Sequence, residues 1–180
     1  MLRTLDAAQA AEDAIRAVIV NSGLNQDGRT LGITMPNPTA QETLIRSVYE
    51  SADIDPEQTG YVEAHGTGTK AGDPLEAGSL HSVFWKGRSP RQPLFLGSVK
   101  SNVGHLEGVS GIISVIKTAL ILERGFVLPN CNFERANEEI PLDEWNVKVF
   151  RRYKPTRLGY ADPIIGSSET RAMASRKALR

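Results

Sequence analysis

Two of the three histidines in this chain stand beside glycine: His65 opens "HGTGT" (65–69) and His105 closes "SNVGH" (101–105). A neutral imidazole can donate its N–H to a carbonyl oxygen as negative charge builds there. Two imidazoles converging on one oxygen would stabilise an enolate. The glycines let the backbone turn sharply and let a ligand approach closely. Thr67 and Thr69 offer hydroxyls to an extended polar ligand, and Lys100 is placed to tune His105 electrostatically. Taken singly, a His-Gly pair reads as a tight strand-to-helix turn, and a lone lysine as a solvated one. Two such pairs, each after an apolar strand and before a helix, favour a site. A zinc set of His65, His105 and Asp73 or Glu107 is the rival, although no HExxH, His-x-His or cysteine cluster supports it. "GTGTKAGD" lacks the spacing of a phosphate loop. His81, inside a helix beside Leu80, reads as structural or exposed.

The elements that must position these residues alternate. "AIRAVIVNS" (14–22) is β-branched and apolar, as a buried strand is. A Gly-, Asn- and Pro-rich loop follows. Residues 39–52 predict a helix that opens on Thr39 with Glu42 three residues later, a capping-box pattern. Residues 60–65 predict a strand ending at His65. Asp73 and Pro74 predict a helix start, with Asp73 capping, over 73–85. Residues 93–99 predict a strand, 109–125 an apolar helix ended by Gly125, and 145–149 a last strand. This order argues for an α/β layered domain whose histidine motifs lie past strand C-terminal ends, where open sheets bind ligands.

The chain has 180 residues, 40% hydrophobic and 23% charged, with zero formal net charge. No global field draws it to nucleic acid or to anionic membranes. Charge is unevenly spread: residues 1–150 hold 13 Lys+Arg against 19 Asp+Glu, and residues 151–180 hold 8 against 2. The single cysteine, Cys131, cannot form an internal disulfide and fits a reducing compartment. Residues 1–18 contain no apolar leader, and "GIISVIKTALIL" is broken by Lys117 and too short to span a bilayer. The expectation is a cytoplasmic protein that uses no membrane and no nucleic acid.

"VEAHGTGTKAGDPLEA", "GSVKSNVGHLEGVSGI" and "LNQDGRTLGIT", in family order and spacing, resemble the β-ketoacyl synthase domain of polyketide synthases. The resemblance covers about residues 14–149, and "LPNCNFERANEEIPLDEWNVKV" is most similar to the fungal iterative type. It implies the C-terminal half of a thiolase-like fold, in which two similar α/β halves stack in five layers. The implied reaction is a decarboxylative Claisen condensation. A cysteine takes the growing acyl chain from an acyl carrier protein, and two histidines promote decarboxylation of carrier-bound malonyl. Carried over, His65 and His105 are those histidines, and Lys100 supports the His105 network. Thr67 and Thr69 bind the phosphopantetheine arm that delivers the malonyl and acyl thioesters. No cofactor is bound directly.

The departures set further expectations. The family's nucleophile lies in an Asp-x-Ala-Cys-Ser-Ser element of the first half, which this sequence does not contain. Cys131, in "LPNCNF", has no helix N-terminus or cation to activate it and is no substitute. Residues 1–149 therefore read as the C-terminal part of a ketosynthase domain, expected to be inactive alone and to have a separate N-terminal half as a candidate partner. The alternative is a non-catalytic, pantetheine-binding or structural fragment, or an unproductive truncated product. Residues 150–180 lack the family's Phe-Gly-Gly-Thr-Asn turn and read as an atypical basic tail, expected to be disordered. The 109–125 helix is apolar nearly all round. Without the other half one side would face water, a loss of roughly 5–10 kcal/mol of burial.

Overall fold

The computed structural model describes residues 1–30, 32, 35–85 and 88–151, together with the backbone of 164–166 and 170–175. The elements in chain order are α1 (Leu5–Ala10), β1 (Val18–Leu24), α2 (Pro38–Ser51), β2 (Tyr61–Glu63), α3 (Gly72–Phe84) and β3 (Leu94–Gly97). Then come α4 (Lys100–Val103), α5 (Ser110–Arg124), β4 (Val147–Lys148), β5 (Ile164–Gly166) and β6 (Thr170–Ser175). The strands form one sheet in the order β1-β6-β5-β2-β3-β4. β2 runs parallel to β3 and β5, and β3 parallel to β4, while β6 is antiparallel to β1 and β5.

Side-chain alternation along β2 divides the core in two. Val62 packs with Ile45 and Tyr49 of α2 and with Leu80, Val83 and Phe84 of α3. Tyr61 points the other way, onto Ile121 and Leu122 of α5 and onto Val127. The sheet is thus covered by α2 and α3 on one face and by α5 on the other, the α/β layering that the alternating pattern predicts. All three residues of β2 are buried.

Helix starts differ from expectation. α2 begins at Pro38, whose missing N–H and fixed φ suit the first turn. Asn37, not Thr39, therefore caps it, its side chain accepting from Ala40 N–H at 3.1 Å. α3 begins at Gly72 without a side-chain cap. Asp73 faces back onto the preceding loop, where its carboxylate accepts from Gly68 N–H at 3.1 Å. α5 ends as expected at Gly125, which takes φ 73°.

α5 buries polar residues beside Ile121 and Leu122 and leaves apolar ones exposed. Ser110, Ser114, Lys117 and Thr118 are buried, while Ile112, Ile116 and Leu120 are 62%, 48% and 44% exposed. No helix among the described residues is long and apolar enough to cross a membrane. Within the basic tail, where disorder is expected, residues 164–166 and 170–175 are strands. Ile164 and Ile165 are β-branched, and these strands pair with edges that β1 and β2 would otherwise leave open. The rest of the tail beyond Arg151 lies outside the described residues.

Candidate functional site

His65 sits two residues past β2, in a turn braced by side chains. The Glu76 carboxylate of α3 accepts from His65 N–H at 2.8 Å and from Gly66 N–H at 3.0 Å. Gly66 has φ 48°, and a Cβ there would lie 2.8 Å from Ser98 Cβ, so only glycine fits. Thr69 Oγ1 accepts from Gly72 N–H at 3.1 Å. Burial pushes the Asp73 carboxyl above the usual range, against the opposing effect of its bond from Gly68.

The second motif does not follow its strand directly, because the short helix α4 separates β3 from His105. Ser98 ties the two motifs together. Its hydroxyl donates to the His65 carbonyl at 3.3 Å and accepts from Lys100 N–H at 3.3 Å. The Ser98 N–H in turn donates to Asn130 Oδ1 at 3.2 Å. Gly104 turns the chain with φ 73° and ψ −175°, and His105 swings back toward His65.

The two rings meet with centroids 5.3 Å apart and planes at 89°. Glu107 N–H donates to His105 Nδ1 at 3.2 Å, and Ser110 Oγ lies 2.8 Å from the same atom. A backbone N–H can only donate, so Nδ1 is an acceptor and neutral His105 carries its proton on Nε2. Lys100 is buried at the start of α4, and its Nζ has no hydrogen-bond partner among the described residues. Burial pulls its ammonium below the usual lysine range, and Glu76 and Glu63 oppose that pull.

The structure thus gathers His65, His105 and Lys100. Thr67 is half-buried and Thr69 exposed on the same turn. Cys131 is exposed, its sulfur accepting from the Asn102 side chain at 2.9 Å. His81 stacks on Trp145 with centroids 4.4 Å apart. The zinc set does not assemble: among the described residues no three His, Cys, Asp or Glu side chains converge as metal ligands would. Glu63, Glu76, Ser98, Asn130 and Lys117 are site-building residues that the expected site does not include, although all but Lys117 lie within the quoted motifs. The one sequence signal at Lys117 is a charge inside an apolar run.

A family profile described as "Beta-ketoacyl synthase, C-terminal domain" matches residues 16–134. The chain is similar to "Highly-reducing polyketide synthase 1" of Aureobasidium melanogenum, 60% identical over 155 residues, covering 86% of this chain and 7% of that protein. It is 58% identical over 149 residues to "Reducing polyketide synthase PKS1" of Cochliobolus heterostrophus, covering 83% of this chain and 6% of that protein. The chain therefore spans only a small fraction of the curated relatives it matches. Among solved structures it resembles the ketosynthase from module 6 of the bacillaene synthase of Bacillus subtilis 168. That match has a TM-score of 0.84 at 37% identity, over 96% of this chain and 33% of that one. An oxazolomycin ketosynthase domain from Streptomyces albus gives a TM-score of 0.85 at 28% identity, over 96% of this chain and 48% of that one.

Proposed function

This chain belongs to the β-ketoacyl synthases, as a C-terminal ketosynthase domain with the thiolase-like fold, and from that premise we propose that it supplies the decarboxylating half of a polyketide condensation site. A malonyl-type thioester arrives on the phosphopantetheine arm of an acyl carrier protein, with Thr67 and Thr69 as hydroxyl partners for the arm. The bond to the carboxylate breaks, carbon dioxide leaves, and the electron pair moves onto the thioester oxygen. His65 and His105 stabilise that oxyanion, and Lys100 supports His105 from beneath. The carbanion then attacks an acyl-cysteine thioester, forming the new carbon–carbon bond and releasing the thiolate.

One observation carries this reading: two imidazole rings lie with centroids 5.3 Å apart at right angles, one of them with Nδ1 accepting from a backbone N–H so that its neutral form carries the proton on Nε2. In this reading the nucleophile comes from the other half of a ketosynthase, which would also cover Ile112, Ile116 and Leu120. A second reading, a non-catalytic pantetheine-binding or structural fragment, draws on Cys131, the one cysteine of the chain, lying exposed outside the two-histidine turn.

Single-turnover assays on a ketosynthase completed with the nucleophile half separate these. His65→Ala should leave acylation of the cysteine intact and slow carbon dioxide release about a hundred- to a thousand-fold, as loss of one oxyanion donor does. Loss of acylation with decarboxylation intact would overturn the assignment. The isolated chain should take no label from a radiolabelled acyl thioester, and stable label on Cys131 would count against the proposal.

A further inference from the structure

The alternation that turns Tyr61 toward α5 turns Glu63 the same way, and Glu63 is fully buried. Its carboxylate meets two hydrogen-bond donors and one ammonium. Oε1 accepts from Val99 N–H, while Oε2 accepts from Tyr61 O–H and pairs with Lys117 Nζ at 2.8 Å. Lys117 is itself only 7% exposed. Burial, and then the neighbouring Glu63 charge, hold the Tyr61 hydroxyl well above the usual tyrosine range, so it stays a donor.

A buried ion pair adds little stability over a well-packed apolar pair of the same volume. What distinguishes this one is where its donors come from. Val99 immediately precedes Lys100. Tyr61 opens the strand that leads to His65. Lys117 lies on α5, whose first residue, Ser110, meets His105 Nδ1. One carboxylate therefore joins the three segments that carry Lys100, His65 and His105. The acidic groups that act on the Lys100 ammonium are Glu76 from α3 and Glu63 from β2, and Lys117 from α5 pairs with Glu63. These two acids and two lysines are all buried.

We propose that Glu63 and Lys117 are positioning residues for the two-histidine site, fixing its three segments in register and balancing the charge beneath Lys100. This rests on reading His65 and His105 as the site. Its readouts use no condensation activity, so the two can fail separately.

The test is an NMR titration of Lys100, assigned through Lys100→Arg, in the 180-residue chain. Glu63→Gln removes one supporting carboxylate and should lower the proton affinity of Lys100 about tenfold. Lys117→Met frees Glu63 and should raise it by a similar factor. The double variant should return close to the unsubstituted chain, and Lys117→Arg should not move it. Shifts of the same sign in both single variants, as general loosening would give, overturn the proposal. Glu63→Asp keeps the charge but withdraws the carboxylate by one methylene. It should weaken the nuclear Overhauser contact between the two rings with the fold retained, and an unchanged contact overturns the proposal even if the other variants do not fold.

Discussion

Around His65 the hold is on the backbone. Glu76 accepts from two successive N–H groups, Asp73 from Gly68 and Thr69 from Gly72. Around His105 it is on the ring, through Ser110 and the Glu107 N–H, while the main chain turns on a glycine conformation at Gly104. The surroundings differ in the same sense. β2 and Ala64 lead into His65 fully buried, whereas Asn102–Val109 is exposed and presents Val103, Leu106 and Val109 to solvent. A backbone-braced turn is part of the fold itself. A ring-braced one fixes a tautomer and leaves its flank open to further polypeptide.

If that contrast is right, Glu76→Ala should have the largest effect. It leaves two half-buried N–H groups without their acceptor, each worth up to about 1–3 kcal/mol, so denaturant unfolding should show a loss of up to about 6 kcal/mol. A loss under about 1 kcal/mol would mean that the turn does not depend on its carboxylate. Gly104→Ala comes next. The added Cβ would meet nothing within 4 Å, so the cost is backbone strain alone, of order 1–3 kcal/mol for this glycine-favoured region. Destabilisation matching Glu76→Ala would erase the distinction between the turns. Ser110→Ala should cost about 1 kcal/mol, since Glu107 N–H still serves His105 Nδ1. Nitrogen chemical shifts of His105 should still report the Nε2–H tautomer, and a switch to Nδ1–H would show that the hydroxyl sets it.

The third histidine is the control, and its effect should be the smallest. Burial against Trp145 and Trp85 pulls His81 below the usual histidine range, with Glu144 opposing. Between its folded value and about 6.5 the unfolded chain binds more protons. The contribution of His81 to stability is therefore present above about pH 6.5 and lost as pH falls. His81→Phe keeps a stacked ring and should flatten the acid side of the melting-temperature profile. An unchanged slope between pH 7.5 and 5 would show that the stack does not disfavour the charge.

Both histidines and the layering that carries them were legible because glycine beside histidine and apolar runs of strand or helix length leave local marks. The bracing was not. Glu76 reads in sequence as an ordinary helical acid, and only the fold of the HGTGT turn brings its carboxylate to two amides. Lys117 reads as a break in an apolar helix until the alternation of β2 sets Glu63 opposite it. Asn37 caps α2 in place of Thr39 because Pro38 can take the first helical position, a preference that the Thr39–Glu42 spacing obscures. The strands at 164–166 and 170–175 lack a marked apolar period, and they pair with β1 and β2, which lie far from them in sequence.

The charge balance beneath Lys100 also bears on how the site senses its medium. A group of two carboxylates and two ammoniums with no net charge has a field that dies away steeply with distance, and its members are buried. Added salt shortens the Debye length from about 30 Å at 0.01 M to about 8 Å at physiological ionic strength, but it screens buried pairs far less than exposed ones. The coupling between Glu63 and Lys117 is therefore little affected by ionic strength. Salt should act chiefly on encounters at the exposed surface of this domain.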